Sequence, residues 1–213
     1  MPLIAHSTCL AVFAKAPCPG SVKTRLMPLL GPQEAAALHA RLVLRTLETA
    51  GAVAPDVTRL YCAPSSADPF FAHCRIRYGV RLHDQGAGDL GRRMLQAFED
   101  QLAPGRAVLL IGTDCPMLKP AQLLAAEEAL RGGADAVFVP TEDGGYALIG
   151  LARCDARLFE GIAWGSDRVM EATRHRLRRL EWRWEELDAC WDVDRPDDYR
   201  RLVREGWLET LPQ

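Results

Sequence analysis

The sequence lacks several features that would assign its class directly. Its seven cysteines include no C-x-x-C pair, and their odd, scattered number favours reduced thiols over a disulfide framework. No apolar run approaches the roughly 20 residues that a membrane-spanning helix needs, and the first residues do not resemble a secretory signal. These absences predict a cytoplasmic protein without a membrane span.

A large excess of charge of either sign is also missing. With 26 basic and 28 acidic residues, the formal net charge of -2 gives no overall attraction to nucleic acid or to an anionic membrane. The five histidines show no metal-ligand spacing, and the sequence contains neither a G-x-S-x-G elbow nor a G-x-x-x-x-G-K-[ST] loop. No nucleic-acid partner is expected, and anionic ligands would bind at local sites. The oligomeric state is left open.

The pattern of apolar residues predicts a single α/β domain over residues 1–213. Strand-like and helix-like segments alternate, which predicts a mostly parallel sheet covered on both faces, a three-layer α/β/α sandwich. The predicted strands are residues 9–15, 57–62, 80–84, 107–111 and 136–139, with further strands after a turn within 141–151 and over 181–187. The predicted helices are residues 33–50, 70–77, 90–102, 120–131, 166–180 and 195–206.

One strand leads directly into a carboxylate. In the run AVLLIGTDCPML, residues 107–118, five apolar residues are followed by a turn that carries Asp114. Ligands of open α/β sheets bind outside the carboxyl ends of the strands, and a carboxylate there is well placed to bind a divalent cation. The alternative is that Asp114 caps the following turn or helix.

The loop after the first strand is rich in proline, glycine and cations. Pro17 and Gly20 restrict its backbone, and Lys15, Lys23 and Arg25 supply the positive charge. Backbone amides and cationic side chains that converge in this way suit a phosphate group. A solvated basic loop without a ligand is the alternative.

Two later segments supply further carboxylates. Asp192 and Asp194 lie on the same side of an extended chain just before a helix, so either is a candidate metal ligand and either could instead cap that helix. Of the two, Asp194 is the preferred candidate for the metal ligand. In EDGGY, Asp143 stands beside Gly144 and Gly145, which let the backbone approach a substrate closely. A plain hairpin turn explains the same letters.

A formal G-x-G-x-x-G, residues 86–91, suggests a different class of enzyme. This spacing is the fingerprint of dinucleotide-binding folds when it follows the first buried strand. Here the preceding strand is polar and lies in the middle of the chain. An NAD(P)-dependent enzyme is therefore a lesser alternative.

Five segments together resemble a bacterial family of GT-A-like glycosyltransferases of the arsenosugar-biosynthesis type, within the nucleotide-diphospho-sugar transferase superfamily. In order they are FAKAPCPGSVKTRL, IGTDCPML, EDGGYALIGL, the I-x-W segment at residues 162–164, and DVDRPDD. The resemblance covers about residues 10–202. It implies a Rossmann-like GT-A fold, nucleotide phosphates held by the cationic loop, and Mg²⁺ or Mn²⁺ bound by Asp114 with Asp194 or Asp192.

The chemistry that these residues favour is transfer from a nucleotide-activated donor to a small-molecule acceptor. The leading hypothesis is a nucleotide-sugar glycosyltransferase in which Asp114 and Lys23 stabilise the leaving phosphate and Asp143 or Glu142 serves as general base. Sugar transferases of this fold usually present D-x-D, whereas GTDCP offers one carboxylate. The alternative is therefore a nucleotidyltransferase that releases pyrophosphate, similar to 2-phospholactate guanylyltransferase. A non-catalytic nucleotide-binding protein is a lesser alternative.

Overall fold

The computed structural model describes residues 7–53 and 58–212. Its strands are β1 Ser7–Lys15, β2 Thr58–Ala63, β3 Arg81–Asp84, β4 Arg106–Ile111, β5 Ala136–Pro140, β6 Tyr146–Leu151 and β7 Trp184–Glu186. Its α-helices are α1 Met27–Gly51, α2 Pro69–Tyr78, α3 Leu90–Gln101, α4 Pro120–Arg131, α5 Val169–Arg179, α6 Pro196–Arg204 and α7 Trp207–Thr210. Val57, the predicted start of the second strand, lies outside the described residues.

The seven strands form one sheet in the order β3-β2-β1-β4-β6-β5-β7. Strand β1 pairs in parallel with β2 and β4, β2 with β3, and β5 with β7. Only β6 among these strands is antiparallel to its neighbours, β4 and β5. The predicted mostly parallel sheet is confirmed, and the carboxyl ends of the six parallel strands share one edge.

Alternate residues of β1 contribute to two cores, one on each face of the sheet. Leu10, Val12 and Ala14 pack in a cluster with residues of α1, α2 and α4. Their neighbours Cys9, Ala11 and Phe13 pack in a second cluster with residues of α3 and α5. This period of two is the geometry of a strand that is buried on both faces. Helices therefore cover both faces, and the three-layer α/β/α architecture is confirmed.

The structure differs from the sequence prediction at several element boundaries. Helix α1 begins at Met27 instead of Gln33, but Gly31 has non-helical dihedral angles (φ 73°, ψ 165°), which separate the first turn from the rest. Helix α5 begins at Val169 instead of Ser166. The Ser166 hydroxyl donates to the Ala163 carbonyl and holds a turn before the helix. Helix α7 was not predicted.

None of the helices within residues 7–53 and 58–212 has the length and apolar character that crossing a membrane requires.

Candidate active site

A cavity of about 610 Å³ opens at the shared edge of the sheet, beside the ends of β1, β3 and β4. Most of the residues predicted from the sequence line it, although they come from four separate segments of the chain. These lining residues are Lys15, Lys23, Arg25, Asp114, Asp143, Gly145, Asp192 and Asp194. The predicted phosphate-binding residues Pro17, Gly20 and Gly144 do not line this cavity.

Lys23 and Asp114 form an ion pair in the lining of the cavity. Lys23 has a left-handed backbone (φ 48°) and precedes a short 3-10 helix, Thr24–Leu26. Its ammonium lies 2.5 Å from Asp114 Oδ1 and 2.6 Å from the carbonyl oxygen of Val193. The Lys23 side chain is 3% exposed, whereas that of Asp114 is 50% exposed. The lysine is thus part of the wall, and the carboxylate faces the open space.

The charge state of Asp114 follows from these neighbours. Burial raises its pKa, but the charges of Lys23 and His39 and the hydrogen bond from Lys23 lower it, and the net shift is downward. Helix α4 has Lys119 at its N-cap, so Asp114 does not cap that helix. Asp114 is therefore a charged carboxylate at neutral pH with one face turned to the cavity.

A second ion pair joins Arg25 to Asp194. Both side chains are partly exposed, and the hydrogen bond and charge of Asp194 raise the pKa of Arg25 further. Helix α6 has Arg195 at its N-cap, and the Asp198 carboxylate accepts hydrogen bonds from the backbone amides of Asp194 and Arg195. Neither Asp192 nor Asp194 is therefore the cap of α6.

The 190–194 segment is fixed against two strand ends. The amide of Cys190 donates to the Pro140 carbonyl, and the amide of Val193 donates to the Asp114 carbonyl, at 3.0 and 2.8 Å. Trp191 and Val193 are buried in a cluster with Leu26. These contacts bring carboxylates that are distant in sequence to the edge of the sheet that carries Asp114.

Negative charge is in surplus on this side of the cavity. Burial, followed by the charges of Asp143 and Asp114, raises the pKa of Asp192 to about 6, and Lys23 lowers it only in part. Within the described part of the chain, no group of three or more His, Cys, Asp or Glu residues is arranged to hold a metal ion by itself. Mg²⁺ is commonly bound by one or two carboxylates together with substrate phosphates, and these residues fit that mode of binding.

The EDGGY segment forms the turn between β5 and β6. Asp143 Oδ1 accepts hydrogen bonds from the Thr141 hydroxyl at 2.5 Å and from the Gly145 amide at 3.0 Å. The neighbouring carboxylate, Glu142, pairs with Arg201 at 2.8 Å and does not line the cavity. Of the two candidate bases, Asp143 is therefore the one at the site.

Gly144 has a packing role in the same turn. Its φ of +89° belongs to the left-handed region, and its carbonyl accepts a hydrogen bond from the Met170 amide at 2.8 Å. A Cβ atom at this position would lie 2.0 Å from the carbonyl oxygen of Asp167. The glycine thus lets the β5–β6 turn lie directly against the start of α5.

The sequence prediction missed several residues of the cavity wall, including Gln85, Leu90 and Arg93. It also missed His39, which is buried and whose Nε2 lies 3.0 Å from the Lys15 carbonyl oxygen. The available signal was the G-x-G-x-x-G segment, which joins β3 to α3. Because β3 is the edge strand of the sheet, the segment does not occupy the central position of a dinucleotide fingerprint.

The last glycine of that segment, Gly91, packs against an aromatic ring. A Cβ atom there would lie 2.6 Å from Trp164 Nε1 and 2.7 Å from Cζ2. Gly91→Ala is expected to push the Trp164 loop away from α3 and to lower the free energy of unfolding by about 1–3 kcal/mol. Denaturant unfolding measures this change.

Gly51→Ala is the matched control, because Gly51 also lies in a helix but has nothing within 4 Å of its added Cβ. This control is expected to keep or raise stability, since alanine favours the helix by up to about 1 kcal/mol. Equal stability of the Gly91→Ala variant and the wild type would contradict close packing of Trp164.

Comparisons with known proteins agree with this architecture. A family model described as "Uncharacterized protein conserved in bacteria (DUF2064)" matches residues 46–166. The phosphoenolpyruvate guanylyltransferase of Geodermatophilus obscurus is 33% identical over 194 residues, which cover 86% of this chain and 83% of that protein.

Two solved structures extend the comparison. A protein from Desulfovibrio desulfuricans G20, described as a nucleotide-diphospho-sugar transferase, is 30% identical, with a TM-score of 0.83 and coverage of 93% of this chain and 87% of that one. A cytidylyltransferase from Leptospira borgpetersenii has a TM-score of 0.61 at 11% identity, over 97% of this chain and 88% of that one, and supports the fold alone. The chain is a transferase with the α/β fold of these proteins.

Proposed function

Because this chain belongs to the DUF2064 family and is homologous to a phosphoenolpyruvate guanylyltransferase, we propose that it is a nucleotidyltransferase. In this reaction a nucleoside triphosphate donates its nucleoside monophosphate to the phosphate of a small phosphorylated acid, and pyrophosphate is released. The observation that carries the proposal is the single cavity-facing carboxylate after β4, Asp114, which contacts Lys23 of the cationic β1–α1 loop and lines the same cavity as that loop. This arrangement suits a triphosphate and leaves out the second aspartate of D-x-D.

The proposed reaction needs alignment and charge stabilisation more than proton transfer. An oxygen of the acceptor phosphate attacks the α-phosphorus and forms a new P–O bond. The bond between the α-phosphorus and the oxygen that bridges to the β-phosphate breaks, and pyrophosphate leaves with the electron pair. The acceptor phosphate is already ionised at neutral pH, so that no general base is required.

The chain's cations have distinct parts in this scheme. Lys15 is exposed on the cavity wall and forms no ion pair with any described residue, so its ammonium is available to the leaving phosphates. Arg25 is held by Asp194 at the cavity rim and can add a forked contact to a phosphate. Lys23 stays in the wall and keeps Asp114 ionised and oriented. Such preorganised charges contribute several kcal/mol of transition-state stabilisation, roughly.

A divalent cation, Mg²⁺ or Mn²⁺, completes the proposal. Asp114 would hold it together with Asp192 or Asp194, and the surplus negative charge around Asp192 favours a cation there. When bound, the cation neutralises charge on the triphosphate. Phosphate oxygens would fill coordination positions of the cation that the two carboxylates do not occupy.

Glycosyl transfer is the second candidate. It is favoured by the 30% identity to the protein described as a nucleotide-diphospho-sugar transferase. Asp143 lines the cavity, and only its Oδ1 is used in the turn, so Oδ2 is available as a general base for an acceptor hydroxyl. The arsenosugar-type acceptor that the sequence motifs suggest belongs to this candidate.

A product assay separates the two candidates. The purified protein is incubated with Mn²⁺ or Mg²⁺ and either GTP plus phosphoenolpyruvate and related phosphorylated acids, or nucleotide-sugars plus small hydroxyl acceptors. Pyrophosphate, nucleoside diphosphate and the coupled product are measured by chromatography and mass spectrometry. We expect pyrophosphate and a nucleotide-linked acid from the first mixture. Nucleoside diphosphate with a glycosylated acceptor, from the second mixture alone, would overturn nucleotidyl transfer.

A further inference from the structure

One arginine on the cavity wall is not neutralised by a carboxylate. Arg93, on α3, donates from Nη1 to Gln85 Oε1 at 3.1 Å and from Nε to the Gly88 carbonyl at 3.0 Å. No ion pair joins it to any residue in the ranges 7–53 and 58–212, and Nη2 has no hydrogen-bond partner there. Arg25, by contrast, forms an ion pair with Asp194. The cavity therefore presents a charged guanidinium in which Nη2 and the second hydrogen of Nη1 can form a fork to a ligand.

Gln85 holds this guanidinium in a fixed position. The Gln85 side chain is buried, and its Nε2 donates to the carbonyl oxygens of Ala14 and Tyr61, both at 3.0 Å. These two carbonyls belong to the neighbouring strands β1 and β2, so the amide bridges two strands of the sheet. Its Oε1 is thereby turned toward Arg93. A side chain held by a second layer of hydrogen bonds is preorganised for recognition.

The order of the strands shows which part of a nucleotide can reach Arg93. Gln85 follows β3 on one side of β1, and Asp114 follows β4 on the other side. A nucleotide with its phosphates between Lys15 and Asp114 can extend its base toward α3, where Phe13 and Leu90 line the cavity. The opposite direction leads to Asp143 and the carboxylates of the 190–194 segment. Apolar walls beside an open arginine suit a flat, neutral base.

The donor pattern of an arginine fork distinguishes the two purines. Guanine presents two adjacent acceptors, O6 and N7, to such a fork. Adenine presents N7 beside an amino group, which is a donor and opposes one arm of the fork. We propose that Arg93, positioned by Gln85, selects guanine over adenine in the nucleoside triphosphate. This inference rests on the proposed nucleotidyl transfer and specifies its donor.

The test measures nucleotide affinity in the presence of Mn²⁺ by calorimetry. Wild type is expected to bind GTP about 10–100-fold more tightly than ATP, and to bind 7-deaza-GTP, which lacks the N7 acceptor, more weakly than GTP. Arg93→Gln is expected to lose most of the GTP preference while its ATP affinity changes little. Arg92→Gln removes the same charge from the same helix, but Arg92 is exposed and does not line the cavity, so it should behave as wild type.

Gln85→Met tests the positioning role separately. It should lower the ratio of GTP to ATP affinity but leave the affinity for pyrophosphate unchanged, a pattern that a general loss of folding does not produce. The 7-deaza-GTP comparison uses wild type alone and so does not depend on any variant folding.

Three outcomes would overturn the inference. Equal losses of affinity for GTP, ATP and pyrophosphate in the Arg93→Gln variant would show that Arg93 binds the phosphates and not the base. Wild type that binds GTP, 7-deaza-GTP and ATP equally would overturn base selection but leave nucleotidyl transfer standing. Wild type that binds no nucleoside triphosphate would overturn both proposals.

Discussion

Asp114→Asn is expected to abolish metal-dependent nucleotide binding and to lower turnover by at least about 10³-fold. The substitution removes the negative charge of this cavity-lining side chain but keeps an oxygen that can accept the hydrogen bond from Lys23. The fold should therefore survive, whereas the proposed cation loses its principal ligand. Calorimetric titration of GTP with and without Mn²⁺ measures the loss, and thermal unfolding checks that the variant is folded.

Asp197→Asn is the matched control for this experiment. The Asp197 side chain is 91% exposed and lies in the first turn of α6, away from the cavity lining. Its replacement makes the same change of charge and should leave both nucleotide affinity and turnover near those of wild type. Unchanged affinity in the Asp114→Asn variant would contradict the role given to this carboxylate.

Gly144→Ala is expected to lower the melting temperature by about 6–12 °C and to reduce activity with it. The new Cβ would meet a backbone oxygen at 2.0 Å, and a rigid main chain cannot turn away as a flexible side chain can. The left-handed φ of +89° adds strain of about 1–2 kcal/mol for any residue with a Cβ. The β5–β6 turn and the start of α5 must separate, which displaces Asp143 from the cavity wall.

Gly206→Ala separates the effect of the left-handed φ from the effect of the steric contact. Gly206 also has a positive φ, +73°, but nothing lies within 4 Å of its added Cβ. This control should lower the melting temperature by only about 2–6 °C, the effect of backbone strain alone. Equal shifts for the two variants, measured by differential scanning calorimetry, would show that the contact between Gly144 and Asp167 is not tight.

The local parts of the fold can be predicted from the sequence because they depend on neighbouring residues. Short apolar runs bounded by turns identify β1, β4 and β5, and Pro120 with Gly132 brackets α4. The carboxyl-end rule then predicts that Asp114 and the cationic loop lie at one edge of the sheet. This is why so many of the predicted site residues line a single cavity.

The remaining features depend on contacts between distant parts of the chain. The pairing of β6 with β4 is a long-range contact, which no local pattern indicates. The Lys23–Asp114 pair spans 91 positions, so that a lysine that the sequence suggests for phosphate instead lies in the wall beside the carboxylate. Gln85 is held in place by a hydrogen bond to the Ala14 carbonyl, 71 positions away. The G-x-G-x-x-G segment that follows it suggests a different ligand, a dinucleotide cofactor.

The closure of the site by the 190–194 segment has a consequence during protein synthesis. The Lys23 ammonium donates a hydrogen bond to the Val193 carbonyl, 170 positions away. Arg25 forms an ion pair with Asp194, 169 positions away. A ribosome-bound chain that has emerged only as far as β6 already contains the β1–α1 loop and Asp114, but it lacks both of these partners. Such a nascent chain has an incomplete cavity, and the proposed nucleotide site forms only after the 190–194 segment has left the ribosome.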